Sequence, residues 1–122
     1  MGEKTNGMVL SLTATTAVPA RTFVKFGAAD GTMVPAVDGT AMIAGVAGDI
    51  DTAVGEHGDA FGQGNVKDII YGGTVARGDP LTADGSGRAI KATATGTYCG
   101  GFAEKSGVVG DIGHCTVAPF IL

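Results

Sequence analysis

Two histidines, two cysteines and a run of carboxylates are the residues of this 122-residue chain best equipped for chemistry. His57 and His114 lie 57 positions apart, each beside a glycine. A zinc site needs three or four ligands at workable spacing. Cys115 adjoins His114, but neighbours on a strand point to opposite faces, so the two cannot grip one ion. Cys99 with a histidine could form a nucleophile pair. The surrounding Tyr98-Cys99-Gly100-Gly101, however, reads as strand and carries no nucleophile signature. Asp49, Asp51, Glu56 and Asp59 form an acidic loop, and Asp49-x-Asp51 starts like a calcium loop. Ala53 and Val54 then break that pattern. Paired carboxylates for glycoside hydrolysis need a cleft and a sugar platform, and the chain has no Trp. Ser11, Ser86 and Ser106 sit in no Gly-x-Ser-x-Gly elbow. Gly62-Gln63-Gly64 lacks the rest of a phosphate loop. These residues predict no enzyme, no metal, no cofactor and no small-molecule substrate.

Something must position whatever this chain presents, and its composition points to strands and turns. Glycine contributes 22 residues, more than twice the usual share of about 7%. It is spread between Val- and Thr-rich runs, which suits many tight turns. Charged residues are only 16%, so the surface is bland or partly covered by a partner. Net charge is −4 and the eight Lys and Arg are scattered, so no nucleic-acid binding is expected. No apolar stretch is long enough for a membrane helix. The start, Met1-Gly2-Glu3-Lys4-Thr5-Asn6, lacks the apolar region of a signal peptide. Cys99 and Cys115 are too few for a disulfide scaffold and read as buried free thiols, with cross-strand pairing the alternative.

The chain also says one thing twice. Ala20/Ala76, Arg21/Arg77, Ala36/Ala92, Gly45/Gly101 and Ala47/Ala103 share an offset of 56 residues. The Asp30-Gly31 and Asp84-Gly85 turns sit 54 apart. This predicts two similar β-units, about 20–75 and 76–122. Alternation over residues 8–13 predicts a first strand, and others follow at 23–26, 32–37 and 42–47. Strands at 59–64 and 66–71 are expected to pair with each other across Gly64-Asn65. Leu81-Thr82, 88–91, 98–103 and 111–122 complete the set. Asp51 to Gly55 could form one helical turn. Short strands with turns at this spacing predict an all-β barrel or sandwich. Residues 1–10 read as a flexible N-terminal arm before a single domain over 11–122.

Ala20-Arg21-x-Phe23-Val24-Lys25, Tyr71-Gly72-Gly73-Thr74-Val75 and Gly78-Asp79-Pro80-Leu81-Thr82-Ala83-Asp84-x-x-Gly87-Arg88-Ala89 carry a family resemblance. With Gly45-Val46-Ala47 and Gly101-Phe102-Ala103, they make the chain similar to the small capsid decoration (cement) proteins of tailed phages. The similarity spans about residues 8–118. It implies a compact β-tulip or barrel-like body. It also implies a homotrimer on the outer surface of an icosahedral head, made in the host bacterial cytoplasm. There it would bind the major capsid protein and clamp neighbouring capsomers of the expanded shell. An N-terminal arm commonly reaches the capsid in such proteins; by position that role falls to Thr5, Asn6, Gly7, Met8, Val9 and Leu10. The alternative is a ligand-binding β-module for carbohydrate or ice. Thr13, Thr15, Thr16 and Thr93, Thr95, Thr97 suggest it, but they cluster in connections rather than in a regular array.

Overall fold

Ten strands and the turns between them make up the computed structural model, which describes residues 3–122; Met1 and Gly2, the start of the expected arm, lie outside the described residues. The strands are β1 (Val9–Ala14), β2 (Phe23–Phe26), β3 (Thr32–Pro35), β4 (Ile43–Ala47), β5 (His57–Phe61), β6 (Val66–Ile70), β7 (Pro80–Ala83), β8 (Ala89–Lys91), β9 (Tyr98–Ala103) and β10 (Ile112–Ile121). No helix occurs among the described residues, so Asp51 to Gly55 forms no helical turn. The chain is all-β, as its pattern predicts.

The strands divide into a closed barrel, β1-β3-β2-β4-β5, and a second five-stranded sheet, β6-β10-β9-β7-β8. One connectivity serves both. In the barrel, β2 pairs antiparallel with β3 and β4, β4 with β5, and β5 with β1. In the second sheet β7 pairs with β8 and β9, β9 with β10, and β10 with β6. The barrel closes by a parallel pairing of β1 with β3. A parallel bridge between Tyr71 and Ala89 stands at the corresponding place after β6.

One expected pairing does not form. β5 and β6 are successive, but β5 already has β1 on one edge and β4 on the other. With both edges filled, the chain crosses at Gly62–Asn65 and β6 joins β10 instead. The default of pairing neighbours therefore loses to barrel closure.

Two cores result. Leu12, Ala14, Val18, Val24, Met33, Ala47 and Ala60 pack together from the barrel strands and their connections. Phe23, Ile43 and Val46 of the barrel pack with Ile69, Tyr71, Leu81, Val117 and others from the second half, welding the halves together. Each fully buried Leu, Ile or Phe contributes roughly 1.5–3 kcal/mol. Cys99 and Cys115 are free and buried. They are not cross-strand partners, because Cys115 faces Ala103 and Cys99 faces Phe120. Burial raises the pKa of both thiols, that of Cys115 strongly.

Candidate functional site

The N-terminal residues run along the body of the protein. Lys4 bridges Val66, donating its N–H to the Val66 carbonyl (2.9 Å) and accepting from the Val66 N–H (2.6 Å). The Asp68 N–H donates to the Glu3 carboxylate (3.0 Å) and the Ile70 N–H to the Arg21 carbonyl (3.0 Å). The outer edge of β6 thus has a partner at every second residue. Edge strands invite unwanted pairing, and such cover removes the invitation.

Asn65 is the anchor of this segment. It is fully buried, and its Oδ1 accepts from the Gly7 N–H (3.0 Å). Its Nδ2 donates to the carbonyls of Met8 (2.7 Å) and Gly62 (2.9 Å). A Cβ at Gly7 would collide with the Gln63–Asn65 backbone, which explains glycine there. Of the residues the resemblance assigns to capsid contact, Thr5, Asn6, Met8 and Val9 are exposed, and Gly7 and Leu10 are half-buried. They form an ordered strip leading into β1. Among the described residues, β1 is paired on the edge facing β3 only at Thr13 and Ala14, so Val9–Ser11 have no strand on that side.

A charge network ties the strip to both halves. Lys67 points inward from β6 with only 3% of its side chain accessible. Its ammonium lies 2.7 Å from Glu3, 3.6 Å from Asp49 and 4.2 Å from the centre of the Phe61 ring. Arg21 also approaches Asp49 (3.7 Å), and His114 Nε2 lies 3.1 Å from Asp68. Glu3, Asp49 and Asp68 come close enough together to resemble a cation site. The Lys67 ammonium supplies the positive charge among them. Partial burial opposes ionisation of Glu3, but the Asp68 N–H and the Lys67 ammonium outweigh it and hold the carboxyl below its ordinary range.

The other reactive residues are spoken for locally. His57 Nδ1 hydrogen-bonds the Thr13 hydroxyl (3.1 Å). Asp51 accepts from the Ala20 N–H (2.7 Å) and Glu56 from the Ala53 N–H (3.0 Å). His114 and Cys115 are consecutive strand residues; Cys115 is buried among the core and His114 pairs with Asp68. An open groove of about 690 Å³ runs past Asp49, Asp51, His57, Asp59 and Phe61. Thr93, Thr95 and Thr97 lie in the connection between β8 and β9, and Thr15 and Thr16 lie in the connection after β1. No regular threonine array forms on a strand face.

The surface also carries apolar groups. Phe102 and Phe120 stack face to face with centroids 4.9 Å apart. Two loops are built alike. In the first, the Ala53 N–H donates to the Glu56 carboxylate and the Glu56 N–H to the Ala53 carbonyl. In the second, Val108 and Asp111 make the same two bonds. Val18 and Thr52 bridge at the base of the first, Val75 and Gly107 at the base of the second. Gly55 (φ 86°) and Gly110 (φ 88°) occupy the same left-handed turn position, which favours glycine.

Comparison with known proteins decides what this architecture belongs to. The profile of a phage cement protein family matches residues 3–112. The chain belongs to the phage cement protein family. It is accordingly related to structural proteins of the phage head. Among solved structures, the N base of the head fiber protein gp8.5 of bacteriophage phi29 is similar, with a TM-score of 0.70 and 19% identity. That match covers 91% of this chain and 93% of the other, and it shows a shared fold. No curated protein matches by sequence.

Position and polarity alone assigned Thr5–Leu10 to capsid contact, and they gave no sign that the segment packs along the body. Asn65 and Lys67 were not legible, because an Asn after Gly reads as a turn and a Lys in a strand reads as a solvent-facing residue. The matched loops left a faint signal, Val-Gly-Glu at 54–56 against Val-Gly-Asp at 109–111.

Proposed function

We propose that this protein binds the outer surface of an icosahedral phage head and cements adjacent capsomers of the expanded shell, without catalysis. The observation that carries this reading is the family match over 3–112. The partner is the major capsid protein. The contact strip is Thr5–Leu10, presented in an ordered form on the body rather than as a free tail. Exposed Met8 and Val9 supply apolar area, 56% and 43% accessible. The β1 edge beside them can receive a strand of the partner, with main-chain hydrogen bonds giving affinity. A homotrimer would place three such strips around one axis, and repeated weak contacts then add up to a durable one.

The test is addition of purified protein to heads that lack it. Saturable binding and a rise in the temperature at which the heads lose their DNA support the reading. Heads that ignore the protein, or bind it with no gain in heat resistance, refute it. Sedimentation of the free protein reads the trimer directly.

A further inference from the structure

The first strand of each half occupies the same place. β1 pairs antiparallel with β5 and parallel with β3 at Ala14–Met33; β6 pairs antiparallel with β10 and, just past its end, parallel at Tyr71–Ala89. Aligning Ala14 with Tyr71 sets Val9 against Val66, Leu10 against Lys67 and Ser11 against Asp68. The opposite edges agree with this alignment. Val9 faces Phe61 and Val66 faces Thr116, and these in turn face Val46 and Phe102, which the repeat also equates.

The two edges differ in cover. On β6, Val66 pairs antiparallel with Lys4 through both its N–H and its carbonyl, and the Asp68 N–H donates to the Glu3 carboxylate. The same carboxylate neutralises Lys67, whose side chain is only 3% accessible. On β1, the N–H groups of Val9 and Ser11 point to the equivalent side, and among the described residues nothing meets them. Leu10, in the place of Lys67, packs against the barrel core yet is only half-buried. A short open edge needs no explanation by itself. Here, however, the protein carries a filled copy of the same edge.

The filled copy fixes how a visitor would lie. It runs antiparallel to β1, with one residue facing Val9 as Lys4 faces Val66. The residue before that one falls where Glu3 falls, and there it meets Leu10 instead of an ammonium. A carboxylate in that position would lose water and gain no cation. An apolar side chain would cover the accessible part of Leu10. Resting on the capsid reading above, we propose that the β1 edge takes an extended, uncharged segment of the coat protein, antiparallel to β1, with an apolar side chain seated on Leu10. Main-chain bonds to Val9 and Ser11 give the affinity, and Leu10 selects the side chain. The N-terminal segment of a second copy is the wrong occupant. It would bring Glu3 onto Leu10, and its own Val66 and Asn65 already hold it.

Hydrogen exchange resolved to single amides, on the full-length protein free and bound to heads that lack it, tests the proposal. In the free protein the Val66 and Asp68 amides should be protected and those of Val9 and Ser11 should not. On heads, Val9 and Ser11 should slow by about tenfold or more. Leu10→Lys gives β1 the cation of the filled edge. It should weaken head binding by about tenfold or more, because an apolar visitor leaves that ammonium unpaired. Should this variant fail to fold, exchange on the parent protein decides alone. Val9 and Ser11 amides that stay fast on bound protein overturn the proposal and leave the capsid reading intact. So does a folded Leu10→Lys protein that binds heads as well as the parent or better, which would mean that no apolar group sits there. Protection of Val9 and Ser11 that grows with the concentration of free protein, together with its sedimenting mass, assigns the edge to a second copy of β1 and also overturns it. A parent protein that ignores heads brings down both readings.

Discussion

Replacing Asn65 by aspartate swaps one buried atom for another of nearly the same size and reverses its chemistry. The amide Nδ2 donates to two carbonyls, at 2.7 and 2.9 Å, in a site with no solvent access. An ionised carboxylate would aim negative charge at both. Folding must therefore keep the new carboxyl protonated. Holding a group of ordinary pKa near 3.9 neutral at pH 7 costs up to about 4 kcal/mol. The acid regains one of the two donations and loses the other, for about 1 kcal/mol more. The sign with pH follows from a folded-state pKa raised above the unfolded one. No ionisation penalty exists below the unfolded value; it grows by about 1.4 kcal/mol per unit as pH rises toward the folded value. Asn65→Asp is thus expected to cost about 5 kcal/mol at pH 7 and only about 1–2 at pH 4, relative to the parent at each pH. Asn65→Ala loses three hydrogen bonds, about 3 kcal/mol, equally at both. Urea unfolding at the two pH values measures this. Amide exchange at residues 3–8 shows whether the strip detaches first. An aspartate variant within 1 kcal/mol of the parent at pH 7, or an offset that does not change with pH, refutes the anchoring role of Asn65.

Further expectations follow from the same geometry. The depressed pKa of Glu3 means its contribution is complete above the unfolded value, near 4.3, and is lost as pH falls through the folded value. Acidification through that folded value should release residues 3–8 before the barrel melts; a Glu3 carboxyl that titrates at or above the ordinary range by NMR contradicts this. Gly113→Ala would drive a methyl group into the Tyr71 ring and should cost about 3 kcal/mol. Gly31→Ala meets nothing within 4 Å and should cost about 1 kcal/mol for its positive φ alone; equal melting temperatures for the two variants would refute the packing argument. Cys99 and Cys115 should resist a thiol reagent at pH 8 until urea unfolds the chain, because burial both shields them and raises their pKa. Rapid labelling of the native protein would show otherwise.

The strands were readable because their signals are local. Met8, Leu10 and Leu12 alternate, Asp30-Gly31 and Asp84-Gly85 turn, and the 56-residue offset aligns Gly45 with Gly101. The connection from β5 to β6 was not readable. Its fate depends on β1 and β4 having already taken both edges of β5, a long-range fact no local pattern encodes. The docking of the N-terminal strip was hidden for the same reason. It rests on Asn65, 58 residues from Gly7, and on an inward lysine in a strand whose apolar phase is ambiguous: Val66 and Ile70 point one way, Ile69 and Tyr71 the other.

The strip and the open edge of β1 bear jointly on how the surface works, and proline can separate them. The N–H groups of Thr13 and Thr15 point toward β3, while those of Met8 and Ala14 point toward β5 and its flanks. By alternation Val9 and Ser11 also point toward β3, which begins only at Thr32. Residues 3 and 4 cover the β6 edge, yet among the described residues this short edge is left open next to exposed Met8 and Val9. Ser11→Pro removes one N–H on the open side and none from the ladder with β5. Proline is tolerated on such an edge, so melting should fall by only a few degrees. If a coat-protein strand adds here, the lost donor and the ring that replaces it should abolish the added pairing and weaken head binding at least tenfold. Unchanged binding by a well-folded Ser11→Pro protein would rule out strand addition at β1 and leave the side chains of the strip as the contact.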